Sequence, residues 1–229
     1  MKNLQKFNET IFIYLYSFFW IVLLPFIIFY FLKRSIKETE YRKNLRERFG
    51  FYKTSLDKSI WIHTASLGEF RAAAPFIKKL LKKNEKIIVT TLTPAGRLEI
   101  KKIFKEDILK NNLVVVYLPF EISLCIKSFF LKFRPKLGII LEIELWPKII
   151  SSSQLYNVPI ILAQAQYPKK SFERDKKYFR SRASIIKKFD LILTKSKNHS
   201  NRFEYFGGKN IKVMGEFRFD QLIPKKHLE

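Results

Sequence analysis

Seven short apolar, mostly β-branched runs alternate with stretches of helical spacing along most of this chain, and that alternation most restricts its fold. Ile60–His63, Lys86–Thr91, Leu113–Val116, Leu137–Leu141, Pro159–Ala163, Leu191–Leu193 and Ile211–Met214 each read as a buried strand. From Glu69, apolar positions Phe70, Ala73, Ala74, Ile77, Leu80 and Leu81 recur every three or four residues, which is helical spacing. Further helices are expected from Pro94 to Phe104 with Thr93 as cap, and over Pro119–Phe133, Ser171–Lys188 and Ser196–Phe206. Strands that alternate with helices at this spacing predict an α/β fold built on a doubly wound parallel sheet.

In such sheets ligands bind beyond the carboxyl ends of the strands. Four segments lie there: Ser66–Glu69, Glu142–Pro147, Ala163–Ser171 and Gly215–Asp220. Together they offer carboxylates, amides, hydroxyls and cations around one crevice, which suits a polar, anionic substrate and removal of a proton from an alcohol. Ser66, Gly68, Glu144 and Ser171 are the candidate substrate-binding residues. Glu69 falls in the first turn of its helix, where a carboxylate either serves as a base or merely offsets the helix dipole; position alone favours the latter. Glu142 and Glu144 follow an apolar strand, and burying carboxylates there is costly unless they are paired.

Ile11–Leu32 carries no charge over its 22 positions (32 − 11 + 1), long enough to span a bilayer. Tyr14, Tyr16, Trp20 and Tyr30 suit an interfacial belt. Lys33, Arg34, Lys37, Arg42, Lys43, Arg46 and Arg48 follow closely, and this heavier positive flank should stay in the cytoplasm. Pro25 leaves an in-plane or re-entrant anchor open. Residues 1–35 therefore read as a membrane anchor and 36–229 as the α/β domain. Glu38–Phe51 reads as a charged helix with Tyr41, Leu45 and Phe49 as a narrow apolar stripe and Gly50 as its stop. The net charge of +24 predicts attraction to phosphate, on lipid headgroups or substrates.

Several classes are excluded. No Walker loop, dinucleotide glycine fingerprint or nucleophile elbow is present. The single Cys125 sits in an apolar run and forms no internal disulfide. Three scattered histidines give no metal-site spacing, no cofactor is indicated, and no nucleic-acid motif accompanies the basic charge.

Five stretches together resemble the amino-terminal half of the 3-deoxy-D-manno-octulosonic acid (Kdo) transferases, which attach Kdo to the lipid A precursor. They are Y-R-K-N-L-R-E-R-F-G at Tyr41–Gly50, H-T-A-S-L-G-E at His63–Glu69, E-I-E-L-W-P at Glu142–Pro147, R-F-E-Y-F-G at Arg202–Gly207 and G-E-F-R-F-D at Gly215–Asp220. The resemblance covers the whole chain, anchor included. It implies one Rossmann-like half of a GT-B glycosyltransferase, at the cytoplasmic face of the inner membrane, in lipopolysaccharide biosynthesis. Its first domain would hold the lipid A precursor, and a second domain would hold the CMP-Kdo donor. Transfer would proceed with inversion and without a metal. Glu69 matches the family's general base, while Glu142 and Arg218 match residues assigned to transition-state support. Two departures stand out. Glu216 and Arg218 replace the Asn and Lys of the family's usual G-N-L-K-F-D, and Gln164-Ala165-Gln166 replaces N-A-R, which removes a cation. The chain stops where the family enters its second domain, so on its own it is expected to bind no CMP-Kdo. An inactive lipid-binding module on the membrane surface is the alternative expectation.

Overall fold

A computed structural model of the chain describes residues 2–180 and 184–216. Seven parallel strands form one sheet: β1 (Ile60–Thr64), β2 (Ile87–Thr91), β3 (Leu113–Tyr117), β4 (Leu137–Leu141), β5 (Ile160–Ala165), β6 (Leu191–Thr194) and β7 (Ile211–Val213). Their order is β3-β2-β1-β4-β5-β6-β7. The winding reverses between β1 and β4, which pair in register from Ile60 opposite Leu137 to His63 opposite Ile140. That reversal is the topological switch point, where the connections leave the sheet in opposite directions and open a crevice. β1, β2 and the edge strand β3 are buried along their whole length, as strands covered on both faces are.

Helices cover both faces. They include α1 (Lys2–Lys37), α2 (Leu45–Arg48), α3 (Leu67–Lys82), α4 (Pro94–Ile103), α5 (Lys105–Leu109) and α6 (Ser123–Phe133). On the carboxyl-terminal side follow α7 (Pro147–Leu155), α8 (Lys169–Lys177) and α9 (Lys197–Tyr205). Two apolar cores result. Ile62, Phe70, Ile77, Val89 and Ile100 pack under α3 and α4. Trp61, Phe129, Phe133, Ile140 and Ile149 pack under α6 and α7. Gly138 admits the second core: a Cβ there would meet the Trp61 ring at 2.9 Å. Cys125 is buried and free, as its apolar setting suggests.

Three expected helices differ from those observed. Pro119–Phe133 becomes helical only from Ser123, since residues 118–122 form a non-helical connection that bends at Glu121 and is extended at Ile122. Glu38–Phe51 is a 3-10 turn at Thr39–Tyr41 followed by the single turn α2, split by Asn44 at φ 59°. Gly50 does stop it, at φ 84°. Ser171–Lys188 is α8, beginning two residues earlier and ending at Lys177, followed by a 3-10 turn over Ser184–Lys188.

The apolar amino-terminal segment is one long helix that runs through Pro25. Its Ile11–Lys37 portion is long and apolar enough to cross a membrane, with mean hydropathy 2.4, and none of its most apolar stretch is buried. One stripe nevertheless meets the domain: Trp20 and Phe31 pack on Phe120, at centroid separations of 5.9 and 6.1 Å.

Candidate active site

The site is built where β1 hands over to α3. Ser66 is extended and caps the helix, its Oγ accepting from the Glu69 amide at 3.3 Å. The Glu69 carboxylate folds back in return. Oε2 accepts from the Ala65 amide at 2.8 Å, and Oε1 accepts from the Ser66 hydroxyl at 3.0 Å. This reciprocal capping fixes the carboxylate just beyond the carboxyl end of β1, beside the switch point. Gly68 is exposed, and a Cβ there would meet only Ser66 Oγ, at 3.8 Å. The glycine thus keeps the rim beside Glu69 low and relieves no clash.

Burial raises the Glu69 pKa to about 7, and the charges of Glu144 and Glu142 push in the same direction against the Ala65 and Ser66 hydrogen bonds. Its carboxyl is therefore poised to exchange a proton near neutral pH, which dipole compensation alone does not need.

Glu142 leaves β4, beside β1, at φ 59°. A non-glycine residue held in the left-handed region carries backbone strain of about 1–3 kcal/mol, the kind retained at functional sites. Its side chain is partnered. Gln166 Nε2 donates to Oε2 at 2.9 Å, and Lys195 Nζ lies 3.4 Å from Oε1. Lys195 also donates to Gln166 Oε1 at 3.2 Å, and its side chain is only 8% exposed. The Glu142 carboxylate is half-buried, 26% exposed, and has its counter-charge from a lysine just past β6. Sequence reasoning missed Lys195, although it sits beyond a strand end like the other candidates. It brings a cation to Gln166 and Glu142 together. Gln164, also at positive φ, forms the irregularity by which β5 changes register against β6.

Glu144 accepts from the Trp146 indole at 2.7 Å. Ser171 stands in the first turn of α8 and makes no hydrogen bond to the carboxylates among the described residues. Of the four segments, the first three therefore converge beside the switch point. The fourth begins beyond the edge strand β7, three strands from β4, which is about 14 Å at the usual strand spacing. Arg218 and Asp220 lie outside the described residues.

Other buried polar groups support this edge without entering it. His63 is fully buried, binds Thr90 Oγ1 at 2.9 Å, and is held neutral by burial, which lowers its pKa to about 3. Glu121 accepts from the Lys148 and Ile149 amides and caps α7. Among the described residues, no group of three or more His, Cys, Asp or Glu side chains is placed to hold a metal ion.

The sequence pattern of the family described as 3-Deoxy-D-manno-octulosonic-acid transferase (kdotransferase) matches residues 43–221. The chain is 30% identical over 193 residues to the 3-deoxy-D-manno-octulosonic acid transferase of Haemophilus influenzae, covering 81% of this chain and 44% of that protein. It is 30% identical over 161 residues to the transferase of the same name from Aquifex aeolicus, covering 70% and 40%. The chain thus spans less than half the length of these curated relatives. Among solved structures, a putative UDP-N-acetylglucosamine 2-epimerase from Listeria monocytogenes matches with a TM-score of 0.50 at 9% identity, over 70% of this chain and 46% of that one. That likeness concerns the fold alone.

Proposed function

Because the chain belongs to the Kdo transferase family, we propose that it forms the acceptor half of a membrane-bound glycosyltransferase that moves Kdo from CMP-Kdo to a lipid A precursor. The observation that carries this reading is Glu69: capped in place, at the switch point, with a pKa near neutrality and two further glutamates beside it.

The Glu69 carboxylate takes the proton of an acceptor sugar hydroxyl as the oxygen attacks the anomeric carbon of Kdo. The new C–O bond forms on the face opposite the departing CMP, and the bond to CMP breaks with its electron pair. Glu142, fixed by Lys195 and Gln166, supports the charge that develops. Arg218 is assigned the same task, and Ser66, Gly68, Glu144 and Ser171 line the acceptor side. The donor is held by a second domain facing this one across the cleft. The apolar α1 and the basic residues that follow it support a site at the cytoplasmic face of the inner membrane, within reach of a lipid-borne acceptor.

The test joins the chain to the donor half of a related transferase and supplies lipid A precursor and CMP-Kdo. Mass spectrometry should detect Kdo-bearing lipid. A folded, membrane-bound hybrid that makes none, while the parent transferase does, would favour the non-catalytic lipid-binding alternative.

A further inference from the structure

Between α1 and the carboxyl-terminal edge of the sheet lies a cavity of about 440 Å³. Trp20, Ile27 and Phe31 wall it from α1, and Leu118, Phe120 and Trp146 from the domain. One charged side chain joins this apolar lining: Arg48, only 4% exposed. Its guanidinium stacks on Phe31 and Tyr117, and Nη2 donates to the Leu92 carbonyl at 2.6 Å. Its Nε has no hydrogen-bond partner, and Arg48 forms no ion pair among the described residues. The neighbouring Glu47 carboxylate is already taken up by both terminal nitrogens of Arg97 and by the Tyr117 amide. A buried positive charge with no ion-pair partner among the described residues therefore borders an otherwise apolar space.

The position of the cavity says what would fill it. One wall is the apolar helix whose opposite face, with Tyr14, Phe18 and Phe29, is bare and suited to lipid. The domain wall reaches the active site: Trp146 donates to Glu144, and the Leu92 amide donates to the carbonyl of Ala65, beside Glu69. Hydrocarbon is thus on one side and the candidate base on the other.

We propose that this cavity seats one acyl chain of the acceptor lipid, with Arg48 binding the polar atoms at the head of that chain, so that the sugar hydroxyl is presented to Glu69. The assignment rests on the acceptor reading above. A chain that leaves bilayer hydrocarbon for an apolar cavity gains little from the hydrophobic effect. Its seating instead fixes the headgroup, and an oriented hydroxyl reacts faster than one free to wander. Selection over ordinary phospholipid follows from two-point attachment, chain in the cavity and sugar in the crevice.

The experiment uses the full chain in detergent micelles and a lipid A precursor brominated on one acyl chain, with tryptophan emission as readout. Saturable quenching is expected, competed by unlabelled precursor, and reduced in Trp146→Phe, which removes the reporter. Brominated phosphatidylglycerol should require at least tenfold more lipid for half-quenching. Leu23→Phe with Ile27→Phe fills the cavity from α1, leaves the sheet untouched, and should raise the half-quenching concentration at least tenfold at unchanged thermal unfolding. Absence of saturable quenching, or equal quenching by phosphatidylglycerol, overturns the cavity assignment. Calorimetry with the deacylated precursor separates the two readings. If the sugar binds without quenching, the cavity fails and the acceptor reading stands; if the sugar does not bind, the acceptor reading fails.

Discussion

At Glu69 two demands meet on one side chain. Capping α3 favours the ionised form, through hydrogen bonds from Ala65 and Ser66, while burial and the nearby glutamates favour the protonated one. The result is a carboxyl that titrates near pH 7, and a base must be ionised to act. The pH profile of kcat/KM in a complete enzyme carrying this segment should therefore rise about tenfold per unit below pH 7 and level off above it. Glu144→Gln removes one of the repelling charges, so the rise should shift to lower pH; an unmoved profile would assign the ionisation to another group. Lys195 offers a second test. Lys195→Gln leaves Glu142 without its cation and should lower transfer at least tenfold. Adding Gln166→Arg returns a cation to the partner that already holds Glu142 and should recover most of the loss. A single variant as active as the parent would remove Lys195 from the site.

At the scale of elements, the sequence disclosed strands better than helix ends. All seven strands are legible because each is a short run of mostly apolar, β-favouring residues; the sheet buries β1, β2 and β3 whole, and leaves β6 and β7 partly exposed. Helix boundaries were harder where tertiary contacts overrule spacing. Residues 38–51 have helical periodicity, yet Glu47 is drawn into a buried ion pair with Arg97 of α4, which a continuous helix on the surface does not make. Of the site, Glu69 and Glu142 could be placed from their strand ends. Lys195 was invisible as a partner because its contact with Glu142 spans 53 residues. The Glu47–Arg97 pair ties α2 to α4 and β3. Arg97→Ala strands a buried carboxylate and should cost about 3–5 kcal/mol, read as a lower midpoint in urea at unchanged slope. Loss below 1 kcal/mol would mean that the pair is solvated.

For the whole molecule, the proposed membrane location turns on whether α1 or surface charge would hold a basic α/β domain to a bilayer. Charge alone is screened, with a Debye length of about 3 Å at 1 M salt. An inserted apolar helix is not. The full chain should float with neutral as well as anionic vesicles and remain bound in 1 M salt. Release by salt, or flotation only with anionic lipid, would reduce the anchor to a surface contact and favour the lipid-binding module. A membrane-inserted α1, packed on the domain through Phe31 and Phe120, would bring the proposed base within reach of a lipid-borne sugar.

The most direct measurement is the transfer rate of a complete enzyme containing this segment with Glu69 changed to Gln. The amide can still accept from the Ala65 backbone, so the cap largely persists. The account predicts intact folding, retained acceptor binding and a rate lowered about 10²–10⁴-fold at pH 8. A Glu69→Gln enzyme that transfers Kdo as fast as its parent would contradict it.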